Sequence, residues 1–268
     1  MTATGSPSVT AHAPGSVTII FAPPSDLQEG SFGVSFAIAD GVAATVQTAS
    51  ETRVSLDGDR TAFAPVEIAL REFGVTAEVS LAAEIPVGYG FGASGAATLA
   101  TTLATNELAG LEMTREKLVE VAHRAEVEAG TGLGDVFIQS RGGLLWNTGD
   151  GRERVERDEP IEYTAFGGIA TEDILTDEET TDRVRTVGRE SLAQFSPDAS
   201  LGEQFDLARD FAERTGLTTD RVIEAVRRVE AAGGVGTMAM VGETVVATGV
   251  QDVLEERTRI ENRGAHVR

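Results

Sequence analysis

The segment Pro86-Val87-Gly88-Tyr89-Gly90-Phe91-Gly92-Ala93-Ser94-Gly95-Ala96-Ala97 places four glycines and a serine between a strand pattern and a helix pattern. Before it, Val79, Leu81, Ala83 and Ile85 alternate with Glu78, Ser80, Ala82 and Glu84, the period of a half-buried strand. After it, an alanine- and leucine-rich run reads as a helix to about residue 109. Backbone without Cβ atoms can wrap closely around an anion with its amides turned inward. The following helix N-terminus adds its dipole and free N–H groups. Ser94 stands where a hydroxyl reaches a phosphate or its metal, and it would also serve as a plain helix cap.

Gly90, Gly92 and Gly95 match G-x-G-x-x-G, but the dinucleotide fingerprint needs a βαβ unit with an acidic residue closing the next strand. Here several strands precede the loop, and a second helix follows the first, capped by Thr114 and running over residues 115–129. The context therefore fails, and an anion cradle remains.

Composition narrows the chemistry further. The 268 residues carry 43 Asp plus Glu against 22 Lys plus Arg, a net charge of -21, and no cysteine. Disulfides, thiolate nucleophiles and cysteine metal sites are excluded. Lys117 is the one lysine and lies outside any glycine loop, which excludes a P-loop nucleotide site. Three scattered histidines, His12, His123 and His266, make a poor metal cluster. So acidic a chain repels a nucleic-acid backbone, and the bias to arginine fits a surface adapted to high salt. No apolar run approaches the roughly 20 residues of a membrane span. A soluble cytoplasmic protein with neither nucleic-acid nor membrane partner is expected.

Residues 1–16 lack the basic start and apolar centre of a signal peptide and are expected to form a flexible N-terminal arm. Strands are expected near 17–22, 34–38, 42–46, 52–56, 78–85, 144–147 and 163–170, with a hairpin over 237–248. Helices are expected over 65–73, 115–129, 181–195, 202–215 and 219–232. The charged stretch 150–160 divides an N-terminal lobe, 17–155, from a C-terminal α/β lobe, 156–268. Strands early, helices later and a closing hairpin indicate α+β.

Residues 86–97 resemble the phosphate loop of the GHMP small-molecule kinases, and Gly-Phe-Gly-Ala-Ser-Gly-Ala-Ala resembles the archaeal pantoate kinase branch most. Residues 122–136 and 238–245 are similar to the same branch, and Gly233-Gly234-Val235-Gly236 partly matches a late glycine loop that backs the phosphate site. The resemblance implies a two-lobed GHMP kinase fold, with a ribosomal protein S5 domain 2-like N-terminal lobe and a ferredoxin-like α/β C-terminal lobe. It implies an ATP- and Mg2+-dependent kinase acting on the primary hydroxyl of (R)-pantoate, toward coenzyme A. The alternatives are another small hydroxy acid or polyol, or a non-catalytic nucleotide-binding homologue. A homodimer is left open. The sequence departs from the branch at its Pro-Gly-His-type segment. Ala22-Pro23-Pro24-Ser25-Asp26-Leu27 and Gly30-Ser31-Phe32-Gly33-Val34 lack both the histidine and the arginine expected there.

The resemblance assigns nucleotide binding to Pro86, Gly88, Gly90, Phe91, Gly92, Ala93, Ser94, Gly95 and Ala96. A hard cation needs oxygen ligands near the phosphates, and two glutamates compete. At about 100° per residue, Glu126 lies roughly 70° from the centre of its helix's apolar face and Glu128 roughly 90° away on the other edge. Angle barely separates them. The resemblance favours Glu126, with Ser94, as the metal ligands, and makes Asp135 the acceptor of the substrate hydroxyl's proton. His123 is expected to be exposed, and Arg124 and Arg141 are candidates to offset substrate or phosphate charge.

Overall fold

The computed structural model describes residues 7–23, 32–132, 134–149, 151–168 and 177–268. Most of the divergent segment, residues 24–31, lies outside the described residues, as do residues 1–6, 133, 150 and 169–176. In chain order, β1 (Ser8–Ala22), β2 (Phe32–Thr48), β3 (Arg53–Leu56) and β4 (Asp59–Arg60) precede α1 (Ala64–Phe73) and β5 (Ala77–Ala83). Next come α2 (Ala93–Ala109), α3 (Arg115–Ala129), α4 (Asp135–Arg141), β6 (Leu144–Asn147), β7 (Arg152–Val155) and β8 (Pro160–Gly168). Helices α5 (Glu178–Leu192), α6 (Leu201–Thr215) and α7 (Asp220–Ala231) lead to β9 (Val235–Met238), β10 (Gly242–Thr248), β11 (Glu256–Arg259) and β12 (His266–Val267).

Two sheets organise these elements into an α+β fold. The first has the order β12-β1-β2-β5-β3-β4, with β6 on β2 and β7 on β6. Its pairs are antiparallel except β3 with β5. The second is antiparallel in the order β11-β8-β10-β9. One hydrophobic core runs through both.

Two of the expected boundaries are corrected. Residues 8–16 are not an arm: they form the first half of β1, and Ala11, Ala13 and Val17 are fully buried. Small and polar residues hid this strand, because its partner β2 supplies most of the apolar mass. Nor does the C-terminal lobe run unbroken to residue 268. Ile260 bridges Ile38, the Ala265 amide donates to the Gln139 carbonyl (2.8 Å), and β12 pairs with β1. The charged stretch 150–160, expected as a connector, contains β7, which pairs with β6.

The register of β1 against β2 shifts between Pro14 and Gly15. Proline has no N–H for the ladder and is tolerated at such a bulge. Beyond it the Ser16 amide donates to the Phe91 carbonyl (2.9 Å), which ties β1 to the glycine segment.

Helix α2 is buried along most of its length. Its small side chains let it lie close to the sheet, and of its buried threonines Thr98, Thr101 and Thr102 satisfy their hydroxyls on the preceding turn while Thr105 does not. Thr98 donates to the Ser94 carbonyl (3.0 Å) and Thr101 to that of Ala97 (2.8 Å).

Helix α5 packs on β1 at Gly188, where a Cβ would come within 2.2 Å of the Phe21 carbonyl oxygen. Gly188→Ala is therefore expected to destabilise the protein by about 1–3 kcal/mol through overpacking. Thermal unfolding checks this, and an unchanged midpoint would remove the proposed contact.

Candidate active site

The glycine segment leaves β5 and turns through Gly88, Gly90 and Gly92, all at positive φ, before α2 begins at Ala93. Gly92 is the N-cap in a left-handed conformation, and no side chain caps the helix. Ser94 is thus free of capping duty. Close approach is the second reason for glycine here. A Cβ on Gly92 would lie 2.2 Å from Ser16 Oγ and 3.1 Å from Asp135 Cγ. A Cβ on Gly242, in the closing hairpin, would lie 2.3 Å from the Tyr89 carbonyl oxygen. The second sheet therefore backs the loop through Gly242, whereas Gly234 and Gly236, expected to do so, face Val250 and Val229.

Gly88, Gly90, Gly92, Ala93 and Ser94 line a cavity of about 700 Å³. The other residues assigned to nucleotide contact are placed differently. Phe91 is buried edge-on against Tyr163 (ring centroids 4.8 Å), so it anchors the loop to the second sheet. Gly95 faces Gln139, Ala96 is fully buried, and Pro86 does not line the cavity. Phe63, Pro65 and Val87 add apolar lining to the same cavity. No basic side chain lines it among the described residues.

Helix α3 delivers Glu126. Thr114 caps its start, and Gly130 in the left-handed region ends it. The turn returns Thr131 to Glu126, which is 3% exposed. Its Oε1 accepts from Ser94 Oγ (3.0 Å) and Thr98 Oγ1 (2.6 Å), and its Oε2 from Thr131 Oγ1 (2.8 Å). Ser94 and Thr98 are one turn apart on α2 and so face the same way. Burial drives the Glu126 pKa up, the three hydroxyls oppose this, and Asp135 adds to the rise. Glu128 sits on the surface, paired with Arg71 (2.7 Å).

A buried carboxyl held only by neutral donors is neutralised either by a proton or by a cation. Carboxylate and hydroxyl oxygens are the donors a hard divalent ion takes. The described residues contain no cluster of three or more acids or histidines that would hold a metal alone. An ion here would need ligands from a bound anion as well.

Asp135 is the first residue of α4, after Gly134, and does not cap it. Its Oδ1 accepts from Ser16 Oγ (2.9 Å). Enclosure raises its pKa, and the Ser16 hydrogen bond opposes the rise. Asp135 lines the larger cavity and also a second one of about 130 Å³. Among the described residues the small cavity contains one cationic side chain, Arg152, whose guanidinium lies 3.7 Å from the centre of the Phe137 ring. Thr131 and Met240 line both cavities.

His123 is half-buried rather than exposed, with its ring 4.9 Å from that of Phe137. Burial, with Arg152 and Arg124 nearby, lowers its pKa. Arg124 pairs with Glu72 and Glu120 on the surface, and neither it nor Arg141 lines a cavity. Sequence reasoning missed Ser16, Gln139 and Arg152. The Pro-Gly pair at 14–15, directly before Ser16, was the available signal. The expectation of a loose arm over residues 1–16 concealed it, because Ser16 lies inside β1.

Residues 61–143 match the model of the GHMP kinases N terminal domain. The chain is 27% identical to the pantoate kinase of Methanospirillum hungatei, over 90% of this chain and 87% of that protein. It is 26% identical to that of Methanocaldococcus jannaschii, over 92% and 95%. A solved structure described as a phosphotransferase related to the CoA biosynthesis pathway superposes with a TM-score of 0.85 at 21% identity, covering 97% of this chain and 98% of the other. The chain therefore carries the GHMP kinase N-terminal domain within a two-lobed GHMP kinase fold.

Proposed function

We propose that the chain is an ATP-dependent kinase that phosphorylates the primary hydroxyl of (R)-pantoate to 4-phosphopantoate, a step toward coenzyme A. The observation that carries this reading is the position of Asp135 on the wall shared by two cavities. One has the size of a nucleotide site, about 700 Å³, and the other, about 130 Å³, suits a small acid. The similarity to two archaeal pantoate kinases along nine-tenths of the chain supports the choice of acid.

Phosphoryl transfer is mostly positioning and charge stabilisation. Phe63, Pro65 and Val87 would receive the base of ATP, and the amides of Gly88 to Ser94 with the start of α2 would hold its phosphates. Ser94 and Glu126 would hold Mg2+, which would supply neutralisation of the phosphate charge. The acceptor lies in the small cavity with its carboxylate on Arg152 and its hydroxyl on the free oxygen of Asp135. As the acceptor oxygen bonds to the γ-phosphorus, the bond to the bridging oxygen breaks and ADP leaves. The hydroxyl proton passes to Asp135.

In molar KCl with Mg-ATP, ADP release is expected with pantoate and not with homoserine, mevalonate, shikimate or glycerate. Activity on another of these acids alone would overturn the substrate. Arg152→Met should raise KM for the acid roughly 10- to 100-fold, the loss of one charge-assisted contact, with KM for ATP unchanged. An unaltered KM for the acid would remove Arg152 from the site.

A third outcome follows from the raised pKa of Asp135. A carboxyl whose folded pKa is raised stabilises the fold when protonated, and that contribution is lost as pH rises through the folded pKa. Asp135→Asn mimics the protonated state. It should raise the unfolding midpoint at pH 7, by roughly 2–4 °C for each kcal/mol of relieved charge burial. The gain should vanish at a pH where the wild-type aspartate is protonated. Turnover should fall about 10²- to 10⁴-fold with loss of the base. Normal turnover in this variant would defeat the assignment.

A further inference from the structure

Ser16 and Gln139 stand between the catalytic aspartate and the phosphate loop, and neither touches ATP or acceptor in the reading above. Ser16 is fully buried in β1, and Gln139 fully buried in α4, one turn after Asp135. The Gln139 Nε2 amide donates to the Gly92 carbonyl (2.7 Å) and to Ser16 Oγ (3.3 Å). This fixes the amide's orientation, because the reverse rotamer would set its oxygen against the Gly92 carbonyl. Ser16 Oγ, already accepting from Gln139, then directs its own hydrogen to Asp135 Oδ1 (2.9 Å).

The polarity of the chain is therefore determined from one end to the other. The Gln139 Oε1 atom is buried without a partner among the described residues. The hydrogen bonds that Gln139 makes with its side chain are both donated by Nε2. Its own backbone is fixed as well, since its carbonyl accepts from the Ala265 amide (2.8 Å). Two loop glycines make room for the arrangement. A Cβ on Gly92 would lie 2.7 Å from Gln139 Nε2, and one on Gly95 would lie 2.8 Å from Gln139 Oε1.

We propose that Ser16 and Gln139 are positioning residues, a buried hydrogen-bond relay that holds Asp135 with one oxygen toward the acceptor and locks it to the phosphate loop at Gly92. The relay rests on the kinase reading above. Because Ser16 donates to the carboxylate and is itself donated to by Gln139, the relay favours the ionised aspartate that a proton acceptor must be. Because it ends on the Gly92 carbonyl, it fixes the distance between the base and the start of α2.

Ser16→Ala and the near-isosteric Gln139→Met are the test, each alone and together, with ATP binding measured by calorimetry. Each single variant should lose about 10- to 100-fold in kcat. KM for the acid should stay within twofold, and for Ser16→Ala the ATP affinity should too. The double variant should be no worse than about threefold below the weaker single one, since either change breaks the same chain. A kcat within twofold of wild type in both single variants would overturn the relay. So would losses that multiply in the double variant, the mark of two independent structural defects. Wild-type protein that binds Mg-ATP yet releases no ADP with any acid would overturn the kinase reading together with the relay. Wild-type turnover with unaffected variants would overturn the relay alone.

Discussion

Glu126 and Asp135 are two enclosed carboxylates beside an anion cradle, with no cationic side chain bonded to either among the described residues. Burying such charges is expensive unless each is hydrogen-bonded, and much of the local architecture is the compensation. Three hydroxyls converge on Glu126 and one on Asp135. The glycines of the loop let those groups approach, and the small residues of α2 let the helix carrying Ser94 and Thr98 sit against the first sheet. An ordinary apolar core would be more stable here.

The same constraint explains how so acidic a chain accommodates anionic ligands. With a net charge of -21, clustered lysines at the site are not the device used. Backbone amides and a helix N-terminus are the sources of positive potential beside the large cavity, and Arg152 is the cationic side chain lining the small one among the described residues. The surface pairs are mostly exposed, such as Arg71 with Glu128 and Lys117 with Glu120. Pairs of that kind contribute about 0–1 kcal/mol each. They solvate the molecule without shaping the site.

The two sheets serve the site in different ways. The first supplies Ser16 from β1 and, through its helices, Ser94, Glu126 and Asp135. The second backs the glycine loop at Gly242 and anchors it with Tyr163 against Phe91. Residues 260–268 return to the first sheet and hold α4 from outside through the Gln139 carbonyl. The loop is thus set between the two sheets.

Local patterns were readable from the chain itself. Strand β5 alternates cleanly, α3 has a cap at each end, and the glycine segment lies between a strand and a helix because those signals span only a few residues each. Those patterns determined the existence of an anion cradle and most element positions. They could not separate Glu126 from Glu128, since both lie near the edge of the apolar face. Which edge is buried depends on where α2 lies, 28 residues away in the Thr98 to Glu126 contact. They also missed β1 before residue 17 and with it Ser16, whose partner Asp135 is 119 residues distant. Arg152 was hidden for the same reason, because its place beside the small cavity comes from pairing with Asn147 across a hairpin. The sequence by itself determined the helices, most of the strands and the glycine segment between β5 and α2, which depend on neighbours along the chain. Only the tertiary structure decided which glutamate is buried, what bonds to Asp135 and where Arg152 stands, because burial and long-range hydrogen bonds are properties of packed elements.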